Sequence, residues 1–295
     1  MTTSKIDAAR QSVPSFDARY GFFCKLLQNE HLSESTIINY THHLARLSLH
    51  FGRIPEEISG EEYVNYYNEL IHAHAGKSSM LHAVYSVRKY FKVFGLECPL
   101  GANPTIKGER RIPVVLSQRE MRDLLRKTTD LEEKTLLGLL YDTGCRKSEV
   151  LSLKIGDLDF DRGKILVRCG KGRKDRYVPF STNMQTVMSA YLKRYTPSVY
   201  VFEKTPDVQK SKTWPTRVLA SAVSRASILK EVHVHTLRHC FAVHLLEHGV
   251  DIIRIQEWLG HKRLETTAIY LKVADVEYDR RWVGPTDLVF PTRAK

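Results

Sequence analysis

The sequence predicts a mainly α-helical protein with one small antiparallel β-sheet, organised as two domains. From Pro14 to about Phe94, apolar residues recur at spacings of three and four, glycine and proline are scarce, and strand-like alternation is absent. Alternation of apolar and polar residues is concentrated at about 155–180. At 295 residues the chain exceeds a typical single domain, so two hydrophobic cores are expected.

The first third of the chain is predicted to form a helical bundle. Its four helices are expected at roughly 15–29, 33–50, 58–74 and 78–94. Ser33 and the capping box of Ser59 and Glu62 indicate two of the helix starts. Residues 1–12 are polar and are expected to be frayed.

Residues 96–116 contain three prolines, two glycines and a basic run, which is typical of a linker. The chain is therefore divided into a helical domain, a linker, a second domain and a tail, at 13–97, 98–116, 117–273 and 274–295.

The second domain opens with a predicted helix from the capping box of Ser117 and Glu120 to about Lys127. Further helices are expected at 131–141, 182–195 and 213–229, with a loop at 203–212. Between them, 155–180 is predicted to be a half-buried hairpin, with the apolar alternation carried by Ile165 and Val167 on one strand and by Tyr177 and Pro179 on the other.

The composition favours an intracellular protein that binds a polyanion. The formal net charge is +12, and the first hundred residues carry ten basic against ten acidic side chains, so the whole excess lies in the later part. Nucleic acid is the commonest polyanion, although a generally basic protein is the alternative. Five scattered cysteines, no signal segment and no long apolar run indicate a soluble cytoplasmic protein without a disulfide framework or a zinc site.

The segment HTLRHCFAVHLLEHGVDIIRIQEWLGHKRLETTAIY carries the densest pattern in the chain. His235 and Arg238 are three residues apart, and so are neighbours on a helix. Leu237, Phe241 and Leu245 form an apolar stripe on a different face, which predicts that the two cations point away from the core. A lone His-x-x-Arg pair is common on solvated helices, so it indicates little by itself.

Two shorter helical segments are expected to complete this region. One begins at Asp251 as N-cap and ends at Gly260, and His261 follows directly. Tyr270 lies on the next segment, where a buried aromatic residue of an amphipathic helix is its alternative role.

A second candidate lies upstream, where Thr143–Gly144 breaks the chain and presents Arg146 at the start of a helix. A guanidinium group offers a fixed fork of donors that suits phosphate. An ion pair with Glu149, three residues on, is the alternative role, and the two roles are compatible.

Read in order, these segments supply an arginine, a hairpin lysine, a His-x-x-Arg pair, a histidine and a tyrosine: Arg146, Lys171, His235, Arg238, His261 and Tyr270. The order and the spacing from His261 to Tyr270 resemble the signature of the tyrosine recombinase (phage integrase) family. The resemblance covers about 117–273. It implies a helical, SAM-like core-binding bundle followed by a mixed α/β catalytic domain.

The resemblance also implies metal-independent phosphodiester transfer, and the chain lacks a paired-carboxylate cluster for two-metal catalysis and a P-loop. Arg146 and Arg238 are expected to neutralise the phosphate, while His261 donates a third hydrogen bond. Tyr270 is the expected nucleophile, supported by His235 as candidate base. No cofactor and no metal are expected.

The glycine-rich turn at 170–175 is expected to be mobile and cationic. A flexible lysine there can protonate a leaving 5′ oxygen. The family's Gly-Lys-Gly pattern indicates Lys171, and Lys174 is its rival.

The partners implied are double-stranded DNA at specific sites and further copies of the chain, as a tetramer on two sites, in the cytoplasm of a prokaryote at the nucleoid. No membrane contact is expected. Additional phosphate contacts are expected from basic residues of the fourth helix, the linker and the hairpin turn: Arg88, Lys89, Lys92, Lys107, Arg110, Arg111, Arg173 and Lys174. For the helix residues, an ordinary solvated face is an equal alternative.

The tail at 274–295 contains Trp282, Leu288 and Phe290, which are too apolar to remain in water. The resemblance implies that it docks on the next protomer of the ring, with packing on its own domain as the alternative.

The function implied is a site-specific recombinase that acts through a 3′-phosphotyrosyl intermediate and a Holliday junction. A type IB topoisomerase-like nicking and closing enzyme and an inactive DNA-binding protein of the same fold are the alternatives. The short leader before the first predicted helix indicates a compact member. Cys145 and Leu271–Lys272 depart from Xer-type enzymes and favour integration, excision or transposition of a mobile element over a housekeeping Xer resolvase.

Overall fold

The computed structural model describes residues 4–72, 77–100, 112–168 and 174–275. The chain divides into two compact units, Met1–Arg110 and Arg111–Lys295. Within the described ranges, every helix falls short of the length or apolarity that a membrane span requires.

The described part of the first unit is helical. Its helices are α1 (Lys5–Ser12), α2 (Phe16–Asn29), α3 (Glu34–Phe51), α4 (Gly60–His72) and α5 (Lys77–Phe94). The apolar faces of α2, α3, α4 and α5 meet in one core that includes Phe23, Leu27 and Tyr63. This bundle follows from the spacing of three and four, which places apolar side chains on one face of each helix.

The prediction that residues 1–12 are frayed was wrong for α1. The Ser4 side chain caps this helix by accepting from the Asp7 N–H at 3.2 Å. Ala9 and Val13 are buried in a small cluster with Phe16. Residues 1–12 are polar on average, but their few apolar side chains are enough to pack one face of this two-turn helix against its neighbours.

The second unit surrounds a small sheet with helices. They are α6 (Gln118–Lys127), α7 (Leu131–Thr143), α8 (Lys147–Leu151), α9 (Thr182–Tyr195), α10 (Trp214–Ala226), α11 (Val234–Glu247), α12 (Ile252–Leu259) and α13 (Leu264–Ala268). The strands are β1 (Leu158–Asp159), β2 (Lys164–Val167), β3 (Arg176–Pro179), β4 (Glu203–Thr205) and β5 (Val208–Gln209). The sheet of β1, β2 and β3 is antiparallel. A large apolar core between this sheet and helices α6, α7, α9 and α10 fixes the scaffold.

The face assigned to the second strand of the hairpin was wrong. Ile165 pairs with Val178, and Leu166 pairs with Tyr177. Directly paired residues lie on the same face of a sheet, so Val178 shares the core face of Ile165. Val178 is accordingly 1% exposed, whereas Tyr177 is 57% exposed.

Two further boundaries differ from the prediction. The stretch at 203–212 contains the β4–β5 hairpin rather than only a loop. Helix α10 ends at Ala226 because Ser227 adopts the left-handed conformation (φ 55°).

The segment after α11 agrees with the prediction. The Asp251 carboxylate caps α12 by accepting from the Ile253 N–H at 2.6 Å, and Gly260 ends the helix with φ 64°. Helix α13 continues into a 3₁₀ turn, Ile269–Lys272, which carries Tyr270.

Several predicted residues lie outside the described ranges. They are Lys107, Arg110, Arg111, Lys171, Arg173 and the part of the tail from 276 to 295.

Candidate active site

Arg238 lies in the interior of the second unit, so the prediction that it points away from the core was wrong. Its side chain is among the largest fully buried ones, at 1% exposure. Nη1 donates to the Gly144 carbonyl at 2.7 Å, and Nη2 donates to the Leu259 carbonyl at 2.6 Å. Helix α11 packs against α7, α12 and the turn at 269–272, so more than one face of it is enclosed.

These hydrogen bonds to two backbone carbonyls satisfy some of the donors of the buried guanidinium group and fix its position. Burial, reinforced by Arg146, lowers the pKa of Arg238 to about 10, so this side chain is still charged at neutral pH. Its Nε is buried and has no hydrogen-bond partner within the described ranges. Arg238 therefore retains a donor for a ligand oxygen.

His261 contacts Arg238 directly, with 2.9 Å between its Nε2 and Nη2 of the arginine. A guanidinium group can only donate, so Nε2 must accept. Burial, with Arg238 and Arg146, lowers the pKa of His261 to about 4, so the ring is neutral and carries its proton on Nδ1. Nδ1 then donates to Thr267 Oγ1, 2.9 Å away. For Nε2 to donate to a phosphate, it must first release Arg238 and gain a proton.

Glu149 orients two arginines from different elements. It accepts from Arg146 Nη1 and from the Arg146 backbone N–H, both at 2.8 Å. On the other side, Arg176 of β3 donates through Nη2 at 2.8 Å and through Nη1 at 3.2 Å. The Nε of Arg176 also donates to the Trp258 carbonyl at 2.7 Å. The ion pair of Arg146 and Glu149 thus forms, and Arg176 connects Glu149 to the backbone near the end of α12.

Burial alone would raise the pKa of Glu149, but the hydrogen bonds from Arg176 and from the Arg146 N–H outweigh it and lower that pKa to about 2. The carboxylate therefore stabilises the fold above its unfolded pKa, and this contribution is lost as the pH falls from about 4.5 towards 2.

We expect Glu149→Gln to cost on the order of 3 kcal/mol of unfolding free energy at pH 7, because two arginines lose their common counter-charge. The difference should shrink at pH 3, where wild-type Glu149 starts to be protonated. Chemical unfolding at both pH values measures this. Glu257→Gln, on an exposed carboxylate of the same region, is the control. Equal stability of Glu149→Gln and wild type at pH 7 would contradict the assignment.

A cleft of about 790 Å³ opens beside Arg146 and His261. Half of its other lining residues are basic, and together they comprise Lys174, Asp175, Arg176, Glu257, Gly260, Lys262, Arg263 and Thr266. Lys174 thus shares a cleft with two predicted site residues, whereas Lys171 lies outside the described ranges. The cationic lining suits an anionic ligand.

Tyr270 is 1% exposed and packs in an apolar cluster with Phe241 and Leu259. Its hydroxyl is 3.0 Å from Nδ1 of His239. Burial raises the pKa of this phenol, while Arg238 and Arg146 act in the opposite direction. Arg238 and Arg146 therefore act electrostatically on Tyr270 as well as on His261.

His235, the predicted base, is an exposed residue at the start of α11. Its ring lies edge-on to that of His239, with 4.8 Å between the centroids. Within the described residues, the hydrogen bond to the Tyr270 hydroxyl is made by His239. The predicted base His235 lies next to this histidine.

The model of the phage integrase family matches residues 115–277, more than half of the chain. The chain belongs to the phage integrase family.

Curated relatives are named tyrosine recombinases. One from Thermosipho africanus is 41% identical over 174 residues, which are 57% of this chain and 60% of the relative. The tyrosine recombinase XerA of Pyrococcus horikoshii is 34% identical over 254 residues, 85% of this chain and 87% of the relative.

Solved structures show the same fold. A XerA recombinase is 27% identical and covers 94% of this chain and 100% of its own, with a TM-score of 0.53. A lambda integrase tetramer bound to a Holliday junction is 17% identical over 94% of this chain and 82% of its own, with a TM-score of 0.71. A XerH recombinase bound to its difH substrate is 19% identical over 88% of this chain and 87% of its own, with a TM-score of 0.66.

Three residues that position this phage integrase site were missed by the sequence analysis. Arg176 starts strand β3 and was assigned no role, yet it links Glu149 to the Trp258 carbonyl. Thr267 fixes the tautomer of His261. His239 follows Arg238 directly, and this adjacency was the one available signal, because a 31-residue separation from Tyr270 gives no local pattern.

In the first unit of this phage integrase, α5 carries the basic residues predicted to contact DNA. Lys89 forms an ion pair with Glu30, the residue that follows α2, so this pair must open before the lysine reaches a phosphate. Arg88 is half-buried, and Lys92 is exposed at the end of the helix.

No group of three or more potential metal ligands occurs within the residues that the structure describes.

Proposed function

We propose that this chain is a site-specific tyrosine recombinase that cuts and rejoins duplex DNA through a 3′-phosphotyrosyl intermediate and a Holliday junction. The observation that carries this proposal is a basic cleft lined by Arg146 and His261, with the buried Arg238 in contact with His261 and both arginines acting electrostatically on Tyr270. A DNA-binding protein without chemistry would not require a buried arginine beside a buried tyrosine hydroxyl.

The reaction transfers a phosphoryl group between oxygens. The Tyr270 oxygen attacks the phosphorus, the bond from phosphorus to the 5′ oxygen breaks, and a lysine protonates that oxygen. Arg146 and the unpartnered Nε–H of Arg238 neutralise the non-bridging oxygens as their charge grows. Because one phosphodiester replaces another, no external energy source is needed, and the free 5′ hydroxyl can reverse the step.

The partners we propose are double-stranded DNA and further copies of the chain. The XerH and lambda integrase structures that share this fold are described as bound to DNA, the latter as a tetramer on a Holliday junction. We assign catalysis to 117–273 and additional DNA binding to 13–97, joined by a linker at 98–116, with 274–295 docking on a neighbouring protomer.

Two biological roles compete. Cys145 and Leu271–Lys272 depart from Xer-type enzymes and support integration, excision or transposition of a mobile element. The similarity to recombinases named XerA supports a housekeeping Xer-type role instead. A type IB topoisomerase-like enzyme is the remaining alternative, and it would relax DNA without needing a specific site.

The test begins with selection of bound sequences from a random duplex pool. Nicked versions of the selected sites should then trap a covalent protein–DNA adduct on a denaturing gel. Two such sites on one plasmid should recombine, whereas random sites should not. Relaxation of plasmids without any selected site would favour the topoisomerase reading. Absence of an adduct on every site would overturn the enzymatic proposal.

The proton donor to the 5′ oxygen is a separate question, because Lys174 lines the cleft and the sequence pattern favours Lys171. We expect Lys171→Ala to slow cleavage of normal DNA and to be largely rescued by a 5′-bridging phosphorothiolate, whose sulfur leaves without a proton. Single-turnover cleavage of both substrates by Lys171→Ala and Lys174→Ala measures this. Rescue of Lys174→Ala alone would assign the role to Lys174.

A further inference from the structure

The hydroxyl of Tyr270 meets a side chain to which the sequence analysis gave no role. Nδ1 of His239 lies 3.0 Å from it, within normal hydrogen-bond distance. The two rings are close, with 5.5 Å between their centroids. His239 projects from the middle of α11, a helix packed against the turn that carries Tyr270, so the contact joins two fixed elements.

The direction of this hydrogen bond follows from the state of both partners. Burial raises the pKa of Tyr270, so its phenol keeps its proton at neutral pH. Burial, reinforced by His235 and Arg238, lowers the pKa of His239 to about 4, so its ring is neutral. A neutral imidazole with its proton on Nε2 accepts at Nδ1, and a buried phenol needs an acceptor. The arrangement is therefore Tyr270 O–H donating to Nδ1 of His239.

We propose that His239 is the catalytic base of the strand-cleavage step and takes the phenol proton of Tyr270 directly. As the bond from the tyrosine oxygen to phosphorus forms, the proton moves to Nδ1, and the electron pair of the breaking bond leaves with the 5′ oxygen. In the rejoining step, Nδ1 returns this proton to the departing phenolate. The inference rests on the proposed recombinase function and revises the role expected for His235.

The surroundings of His239 fit this role. The titratable and charged groups that act on its ring are His235 and Arg238 of its own helix, and Tyr270 of the turn packed against it. Burial, to which His235 and Arg238 add, keeps the His239 ring unprotonated at neutral pH, which is the state that a base requires. His235 is exposed, and its ring lies edge-on to the His239 ring with 4.8 Å between the centroids, so it leaves the proton on Nδ1 for the rejoining step.

The test compares His239→Asn and His239→Ala with wild type in single-turnover cleavage of a nicked site between pH 6 and pH 9. Asparagine places Oδ1 near the position of Nδ1, so it preserves the hydrogen bond to Tyr270 but cannot hold a proton. His233→Asn, on an exposed histidine before the same helix, is the matched control. DNA affinity and the thermal unfolding midpoint are measured for each variant.

Both His239 variants should cleave about 10²- to 10⁴-fold more slowly than wild type at pH 7, as expected for loss of a positioned base. The cleavage rate of each variant is divided by the wild-type rate at the same pH, which removes the effect of groups that titrate in both proteins. For His239→Asn, this deficit should shrink by up to tenfold per pH unit, because solvent then removes the phenol proton. His233→Asn should cleave at the wild-type rate.

Two results would overturn the inference. Recovery of wild-type cleavage by His239→Asn would show that His239 positions Tyr270 without taking its proton. A deficit that stays constant across the pH range, in variants that fold and bind DNA normally, would show the same. Failure of the proposed function is distinguishable, because wild type itself would then form no adduct on any selected site.

Discussion

Tyr270→Phe is expected to abolish the covalent protein–DNA adduct entirely while leaving DNA binding within about twofold of wild type. The substitution removes the attacking oxygen but keeps the ring that packs with Phe241 and Leu259. The lost hydrogen bond to His239 should change the free energy of unfolding by only about 1 kcal/mol. A denaturing gel with a labelled nicked site measures the adduct, and a mobility shift measures binding.

The chain offers a matched control in Tyr141→Phe. Tyr141 of α7 is half-buried, and its hydroxyl, like that of Tyr270, hydrogen-bonds to a histidine, here His244 Nδ1, at 2.8 Å. This pair lies outside the lining of the basic cleft. Tyr141→Phe should therefore lose a similar hydrogen bond but form the adduct normally. An adduct that persists in Tyr270→Phe would assign the nucleophile to another residue.

Arg146→Ala is expected to slow cleavage by about 10²- to 10³-fold, the range for removing one donor that stabilises transition-state charge. DNA binding should weaken far less, because Arg176, Lys262 and Arg263 still line the cleft. Glu149 keeps its hydrogen bonds to Arg176, so the fold should tolerate the change. Single-turnover cleavage at saturating protein measures the chemical step separately from binding.

Lys262→Ala provides the comparison for Arg146→Ala, since both side chains line the cleft but Lys262 is exposed. It should reduce DNA affinity and the salt dependence of binding, with little change in the cleavage rate. If Arg146→Ala instead cleaves within threefold of wild type at saturation, Arg146 serves only as the structural partner of Glu149.

Local sequence patterns determined most of the helices. The capping box of Ser117 and Glu120, the N-cap Asp251 and the left-handed Gly260 each act within a few residues of the chain. Their geometry therefore does not depend on distant contacts, and the sequence located these ends directly. Helix α1 was missed because its burial comes from packing on α3, which the local polarity of residues 5–12 does not reveal.

The same division holds within the candidate site. The order of Arg146, His235, Arg238, His261 and Tyr270 was sufficient to indicate the family, because the spacing of a signature is a property of the chain. It could not indicate which side chains touch, since hydrogen bonds between residues 23 or 31 positions apart depend on how helices pack.

The sequence by itself determined the helical class, the small sheet, the basic second unit and the order of the signature residues that indicate the family. Only the tertiary structure decided that Arg238 is buried on two backbone carbonyls, that Arg176 shares Glu149 with Arg146, and that His239 meets Tyr270. The physical reason is that periodicity records the average polarity of a helix face. It carries no information on a charged or titratable group whose burial is compensated by donors and acceptors from distant parts of the chain.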